Sequence, residues 1–291
     1  MKVITVAGMI GVGKSSLAEL IGDEYGGVVK FEKLNSPLLP LLYTATKEEK
    51  EAKRIPFLLQ LDFLNSRFRS IKECLRDEKA GFATLDRSIY EDKYFAKVLH
   101  KRGEISDFEI DIYEELLANM LEELEELPQK APHLTIYIQT SFETAIKRIQ
   151  KRSRNFEGID VETEEYFRQL WEGYDNFMLN EYDHSDVLIV NGDKYDFVEN
   201  EKDREAVASL INDKLVELGV IESPKPKAFP QWAVGKECLI KPEWYGEFRG
   251  KIGIVQEVFK AHDGDYIVNV KVKGRDTQIT LYGEKQYRIL D

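Results

Sequence analysis

Apolar residues follow two alternating patterns along the first three quarters of the chain. Five short runs, apolar at their centres without alternation, predict strands buried on both faces of a parallel sheet. These runs are residues 2–8, 28–32, 82–88, 134–140 and 186–192. Between them, apolar positions three and four residues apart predict helices, at residues 15–23, 57–76, 107–127, 142–151, 162–179 and 203–218. The alternation predicts an α/β fold in which helices flank a five-stranded parallel sheet.

The pattern changes after residue 221. Residues 222–230 are rich in Pro and Lys and predict a linker. Short β-type runs follow, at residues 237–240, 251–259, 266–272, 277–281 and 287–290, with a hairpin turn expected at 262–265. Five short strands predict a small all-β domain, an SH3-like barrel, over residues 231–291. We therefore expect a first domain at 1–221, a linker and a second domain.

Charge and cysteine content narrow the class of protein. The 291 residues include 41 Lys and Arg against 53 Asp and Glu, a net charge of −12. The negative excess lies in residues 1–221, because residues 222–291 hold 12 basic and 10 acidic side chains. Nucleic-acid backbones and anionic membranes repel so acidic a protein. Cys74 and Cys238 lie far apart in sequence and predict reduced thiols in a cytoplasmic compartment. No apolar run approaches the roughly 20 residues that span a bilayer, so we expect no membrane contact.

A phosphate-binding loop is predicted where the first strand meets the first helix. Residues 8–15 read Gly-Met-Ile-Gly-Val-Gly-Lys-Ser, and the glycines let successive backbone N–H groups point at phosphate oxygens. The start of the helix adds further N–H donors. Lys14 is expected to reach the β- and γ-phosphates, and the Ser15 hydroxyl to ligate Mg²⁺. We predict binding of ATP or another nucleoside triphosphate by Gly8, Gly11, Gly13, Lys14, Ser15 and Ser16.

Polar residues at the carboxyl ends of the predicted strands are the next candidates, because ligands of open parallel sheets bind there. Glu32 ends the second strand and is a candidate general base for phosphoryl transfer, with a solvated strand-end glutamate as the alternative. Asp86 and Arg87 end the third strand. Their carboxylate suits Mg²⁺ and their guanidinium suits phosphate, whereas an ion pair at a strand end is the alternative.

Two further groups of polar residues lie on predicted helices. Gln60 and Arg67 are seven residues apart beside the apolar seam of the helix at 57–76, a spacing that suits recognition of a base edge. The alternative is that both are exposed polar positions. Arg148, Arg152 and Arg154 form a basic cluster that predicts a lid over phosphates, with a solvated basic face as the alternative.

Taken together, these motifs resemble the deoxyribonucleoside kinase family, most closely its bacterial deoxyadenosine/deoxyguanosine kinase branch. The shared segments occur in the expected order over residues 1–218. They are the loop at 8–15, Phe31 and Glu32 with residues 35–39 and Tyr43, residues 57–69, residues 86–92 and residues 148–157. The resemblance implies a P-loop kinase fold for residues 1–221.

The resemblance also implies roles for individual residues. Glu32 matches the base that deprotonates the nucleoside 5′-hydroxyl, and Arg87 matches the arginine that steadies this glutamate and the phosphate. On the nucleoside side, Gln60 matches the residue that pairs with the base edge, and Tyr43 and Glu157 match the pair that holds the 3′-hydroxyl. On the nucleotide side, the matches are Asp86 near Mg²⁺, the lid arginines Arg148, Arg152 and Arg154, and Asp196 and Phe197 beside the adenine.

Arg67 and Asp92 bear on specificity. In the resemblance they match an arginine and an aspartate that form a polar pair beside the base. A thymine methyl group facing such a pair would leave it poorly satisfied. We therefore expect purine deoxynucleosides as preferred substrates, with deoxycytidine next.

The leading hypothesis is ATP-dependent phosphorylation of a deoxynucleoside 5′-hydroxyl in nucleotide salvage. One alternative is a deoxynucleoside monophosphate kinase, and another is a nucleotide-dependent binding switch whose output is the C-terminal barrel. The resemblance implies a homodimer that forms through helices beside the sheet, and the acidic helix at 107–127 is a candidate contributor. The barrel is a candidate for binding an unidentified partner.

Overall fold

The computed structural model describes residues 2–76, 81–126, 132–152, 160–222, 234–240, 248, 251–260, 266–282 and 287–289. The chain divides into two compact units, Met1–Ile221 and Glu222–Asp291.

The strands of the first unit form a five-stranded parallel sheet, as predicted. They are β1 (Lys2–Gly8), β2 (Val28–Lys30), β3 (Phe82–Asp86), β4 (Leu134–Gln139) and β5 (Val187–Asn191). Their order is β2-β3-β1-β4-β5, with every described pairing parallel. The central strands β1 and β4 are almost entirely buried, which explains their continuous apolar runs. Strands β2 and β3 lie on one side of the central strand β1, whereas β4 and β5 lie on the other. The strand order thus reverses its direction at β1, and ligand clefts form at such a switch point.

Helices flank this sheet, also as predicted. They are α1 (Lys14–Tyr25), α2 (Leu38–Thr44), α3 (Lys47–Ala52), α4 (Ile55–Arg76), α5 (Asp92–Lys101), α6 (Asp107–Glu125), α7 (Phe142–Arg152), α8 (Val161–Asn176) and α9 (Glu201–Glu217). A 3₁₀ turn at Ile89–Glu91 precedes α5, and a π-helical turn at Phe177–Glu181 follows α8. None of the helices that the structure describes combines the length and apolar content needed to cross a membrane.

Three helices, α2, α3 and α5, were not predicted. The α3 helix has no buried residue, so it carries no apolar periodicity. A capping box stabilises its start instead, since Thr46 accepts from the Glu49 backbone N–H and the Glu49 carboxylate accepts from the Thr46 N–H. The α5 helix begins at Asp92, the last residue of the polar segment at 86–92, and this segment obscures its start.

Two predicted strands end earlier than expected. The strand predicted at 28–32 ends at Lys30, so Glu32 lies in the following loop. The strand predicted at 82–88 ends at Asp86. Arg87 takes a φ of 72°, in the left-handed region that a strand cannot continue through.

The second unit contains a five-stranded antiparallel sheet. Its strands are β6 (Glu237–Ile240), β7 (Ile252–Lys260), β8 (Tyr266–Val272), β9 (Gln278–Tyr282) and β10 (Tyr287–Ile289), in the order β10-β6-β7-β8-β9. One face is apolar and buries Cys238, Ile240, Val255, Val258, Val268, Val270, Val272, Ile279 and Leu281. The all-β prediction is confirmed. Closure into an SH3-like barrel stays a prediction, because no β9–β10 pairing occurs among the described residues. The turn expected at 262–265 lies outside them.

Candidate active site

A cavity of about 750 Å³ opens at the carboxyl edge of the parallel sheet. Most of the predicted site residues line it: Gly11, Gly13, Lys14, Ser15, Ser16, Glu32, Tyr43, Gln60, Arg67, Asp86, Arg87, Arg148, Arg152 and Asp196. The other predicted residues of the described chain, Gly8, Asp92 and Phe197, lie close behind this lining. Arg154 and Glu157 lie outside the described residues.

The phosphate-binding loop is packed too tightly to accept side chains at its glycines. A Cβ atom on Gly11 would lie 2.4 Å from Ile149 Cγ1 of α7, and Gly11 has a φ of 83°. A Cβ atom on Gly13 would lie 3.3 Å from the Phe197 ring, and its φ is 108°. The left-handed φ favours glycine at both positions, and at Gly11 the close approach also excludes a side chain. Phe197 therefore supports the loop from behind, since only 2% of its surface is exposed.

Lys14 is buried at the base of the loop, where its Nζ donates to the Met9 carbonyl at 2.8 Å. Burial lowers the pKa of Lys14 to about 7, with a further lowering from the positive charge of Arg87. The carboxylates of Asp86, Glu32 and Glu91 offset part of this effect. Lys14 is therefore poised to gain a proton when an anion binds beside it.

Ser15 and Asp86 together present oxygen atoms of the kind that Mg²⁺ prefers. The Ser15 hydroxyl donates to Asp86 Oδ2 at 2.5 Å. Asp86 is 4% exposed, and its Oδ1 atom accepts no hydrogen bond from the described residues. A buried carboxylate oxygen without a donor beside a serine hydroxyl fits a divalent cation.

Glu32 is held by two guanidinium groups. Its Oε1 pairs with Arg67 Nη2 and lies 3.4 Å from Arg87 Nε. Burial by itself would raise the pKa of Glu32, but Arg67, Arg87 and then Lys14 outweigh burial and lower it to about 2. The carboxylate is therefore ionised at neutral pH. Glu32 is thus half-buried and ion-paired, and its role as general base stays a prediction.

Arg67 connects Glu32 to Asp92, because its Nη1 pairs with Asp92 Oδ1. Arg67 is 8% exposed, Asp92 1% and Gln60 3%, so the alternative of exposed polar positions on α4 is wrong. The Gln60 Oε1 and Asp92 Oδ2 atoms accept no hydrogen bond from the described residues. Gln60 lines the cavity, so its unpaired buried acceptor is suited to a donor group of a ligand.

Arg148 contacts the phosphate-binding loop itself. Its Nη1 donates to the Val12 carbonyl at 2.6 Å, and its Nη2 donates to the Gly192 carbonyl at 2.7 Å. The guanidinium thus ties the loop to the end of β5. Arg152, one turn further along α7, lines the cavity with an exposed side chain.

The comparison with known families agrees with this arrangement. The model of the deoxynucleoside kinase family matches residues 4–217. The chain belongs to the deoxynucleoside kinase family. It is therefore a phosphotransferase that phosphorylates a deoxynucleoside.

Individual relatives place the chain among bacterial members of this family. It is 41% identical over 225 residues to a deoxyguanosine kinase of Lactobacillus johnsonii, covering 76% of this chain and 96% of that protein. It is 38% identical over 222 residues to a deoxyadenosine kinase of Lactobacillus acidophilus, covering 75% and 99%. A solved structure of deoxyadenosine kinase from M. mycoides with bound dATP matches with a TM-score of 0.58 and 25% identity, covering 72% and 99%.

Sequence reasoning missed two aromatic residues that support the arginines of this kinase. The Arg87 guanidinium lies 4.2 Å from the centre of the Phe95 ring, and the Arg67 guanidinium 4.9 Å from that of Phe63. Phe63 precedes Arg67 by one helical turn, so the i, i+4 spacing contained the signal. Phe95 lies on α5, whose apolar positions at 94, 95, 98 and 99 would have indicated a helix.

The lowered pKa of Lys14 predicts that nucleotide binding takes up a proton. At pH 8 the free side chain is mostly neutral, and a polyphosphate beside it raises its pKa, so affinity should increase as pH falls from about 9 toward 7. Calorimetry of ATP binding in buffers of different ionisation enthalpy measures the uptake. The Lys14→Arg side chain is charged at every pH used, so it has no proton to gain when ATP binds. At pH 8 this variant should therefore take up fewer protons than the wild type, by an amount approaching one. Equal uptake by both proteins would contradict this prediction.

Proposed function

We propose that this kinase transfers the γ-phosphoryl group of ATP to the 5′-hydroxyl of a purine deoxynucleoside, as a step of nucleotide salvage. The observation that carries the proposal is the position of Glu32. Its ionised carboxylate lies in the same cavity as Lys14 and the phosphate-binding loop, and Arg67 and Arg87 hold it there.

In this proposal the backbone N–H groups of the loop and Lys14 bind the β- and γ-phosphates. Glu32 accepts the proton of the attacking 5′-hydroxyl. A carboxylate with a pKa of about 2 is a weak base. A weak base suffices because phosphoryl transfer depends mainly on positioning and on stabilisation of charge. Arg87, beside Glu32, is placed to stabilise the charge of the transferring group.

Mg²⁺ would be held by the Ser15 hydroxyl and the unpaired Asp86 Oδ1. When bound, it neutralises charge on the phosphate oxygens. Arg148 and Arg152, which line the cavity, then contribute positive charge beside the phosphates. Arg154 is assigned the same role from the family resemblance alone. We place the ATP adenine beside Asp196, because this residue lines the cavity and is followed by Phe197 under Gly13.

The nucleoside is proposed to bind between α2, α4 and the loop after β2. Tyr43 of α2 lines this side of the cavity and is assigned to the 3′-hydroxyl with Glu157. Gln60 presents both a donor and an acceptor and suits the Watson–Crick edge of a purine. The Arg67–Asp92 pair adds donors and an acceptor beside it. The similarity to deoxyguanosine and deoxyadenosine kinases supports a purine at this position.

Steady-state kinetics with a panel of acceptors tests the function. With ATP and Mg²⁺, deoxyguanosine or deoxyadenosine should give the highest kcat/KM, deoxycytidine should follow and thymidine should be poorest, because the methyl group faces the Arg67–Asp92 pair. The panel includes dGMP and dAMP. Thymidine as the best acceptor would overturn the specificity, and preference for a monophosphate would favour the monophosphate kinase alternative.

Glu32→Gln tests the base. We expect kcat to fall by about 10²- to 10⁴-fold, because the amide cannot accept the hydroxyl proton. The Kd for ATP should change little, so the loss would lie in turnover and not in nucleotide binding. Glu73→Gln is the matched control, since Glu73 is a surface carboxylate that pairs with Lys30 at 2.8 Å. A Glu32→Gln protein with full turnover would exclude Glu32 as the base.

We also propose that the kinase forms a homodimer through α6. Phe108, Ile112 and Leu116 lie one turn apart on this helix and are 82%, 57% and 37% exposed. Such a stripe is unfavourable in water and typical of an interface. The C-terminal unit is proposed as a module that binds a separate partner. A cytoplasmic location is supported by Cys74 and Cys238, which are both buried free thiols.

Ile112→Lys should convert the dimer into a monomer, because a charge would be buried at the centre of the stripe. Light scattering after size exclusion measures the mass. Ala118→Lys adds the same charge to an exposed position of α6 away from the stripe and should leave the dimer intact. A wild-type chain that elutes as a monomer at micromolar concentration would contradict the proposal.

A further inference from the structure

The peptide groups at Gly8 are held from two directions. Gly8 ends the central strand β1 and begins the phosphate-binding loop, with a φ of 143°. Its N–H donates to the hydroxyl of Tyr174 at 3.1 Å, and its carbonyl accepts from Arg87 Nη2 at 3.1 Å. The first turn of the loop is thus attached both to α8 and to the arginine beside Glu32.

Glu91 joins these two attachments. The Tyr174 hydroxyl donates to Glu91 Oε2, and Arg87 Nη1 lies 3.7 Å from the same oxygen. The other oxygen, Oε1, accepts from the Ser88 backbone N–H at 3.3 Å, which fixes the carboxylate. Gly8, Tyr174, Glu91 and Arg87 therefore form a closed ring of contacts, here named the Gly8 ring.

Every side chain of the Gly8 ring is buried: Tyr174 and Glu91 are 1% exposed and Arg87 is 5% exposed. Burial, and then the charge of Glu91, raise the pKa of the Tyr174 phenol well above its usual value. The hydroxyl therefore stays protonated and donates to Glu91, while its oxygen accepts from the Gly8 N–H. The Tyr174 ring stacks on Tyr137 at 5.5 Å and meets Tyr94 edge-on at 5.0 Å, so packing fixes the phenol independently of its hydrogen bonds.

We infer that Tyr174 and Glu91 are positioning residues for nucleotide binding and that they couple the phosphate-binding loop to Arg87. Neither side chain lines the cavity. They act through Gly8, whose orientation sets the path of the loop, and through Arg87, which reaches Glu32 at 3.4 Å. The link to Glu32 rests on the proposed function, whereas the effect on nucleotide binding does not.

Removing the Tyr174 hydroxyl would leave the buried Gly8 N–H without its acceptor and Glu91 Oε2 without its hydrogen-bond donor. Tyr174→Phe keeps the ring stacking and removes only these bonds. Glu91→Gln keeps an oxygen for Tyr174 but removes the charge beside Arg87. Both changes open the same ring at different points, so their effects should not add.

The test measures ADP binding by calorimetry, without an acceptor, for the full chain. Tyr174→Phe and Glu91→Gln should each raise the Kd for ADP by about tenfold. The double variant should have about the same Kd as whichever single variant has the higher Kd. Tyr94→Phe is the control, because Tyr94 is a buried tyrosine whose hydroxyl bonds to the Leu170 carbonyl at 2.5 Å, outside the Gly8 ring. Its Kd should stay within about twofold of the wild type.

Thermal unfolding of each variant identifies any loss of fold. If Tyr174→Phe does not fold, the test rests on Glu91→Gln, which leaves Tyr174 in place. Equal Kd values for Tyr174→Phe and Tyr94→Phe would overturn the inference, as would additive effects in the double variant. A wild-type chain that binds ADP but phosphorylates no nucleoside would refute the proposed function alone, because the Gly8 ring is measured without an acceptor.

Discussion

The burial of opposite charges at the carboxyl edge of the sheet is the constraint on which the rest of this structure depends. Arg67 and Arg87 line the cavity and pair with Glu32, which also lines it, and with Asp92 and Glu91 directly behind it. Ions removed from water are costly unless they are paired, and removing one partner leaves another uncompensated. Each group is therefore fixed by its neighbours. The paired charges are thus in place without a ligand, the condition under which electrostatic stabilisation of a transition state is most effective.

This arrangement requires a strained backbone conformation at Arg87. Arg87 has a left-handed φ of 72°, which costs of the order of 1–3 kcal/mol for a side chain of this size. Its surroundings over-determine this conformation, because the guanidinium contacts the Gly8 carbonyl, two glutamates and the Phe95 ring. A φ in this region ends β3 and turns Arg87 toward the cavity. The strained backbone at Arg87 therefore has a structural consequence, since the residue that follows β3 lines the cavity.

Much of the fold followed from periodicity. The strands were predictable because burial on both faces leaves a continuous apolar run, and most helices because one face packs on the sheet. The α3 helix was not predicted, because a helix with no buried face carries no apolar periodicity. In the site, the phosphate-binding loop was recognisable, whereas Phe95 was hidden on an unpredicted helix. Gln60 and Arg67 looked equally like surface residues, because nothing local distinguishes a polar residue that faces solvent from one that faces a cavity.

The sequence by itself determined the α/β class, the glycine-rich loop predicted to bind phosphate, the β content of the last part of the chain and the family. These depend on residues close together in the chain. Only the tertiary structure decided the strand order, and with it the contacts of residues far apart: Glu32 and Arg67 are separated by 35 positions, and Gly8 and Tyr174 by 166. The physical reason is that the charge state and orientation of a buried polar group are set by the partners that packing brings to it. A local pattern can identify such a group without identifying its partners.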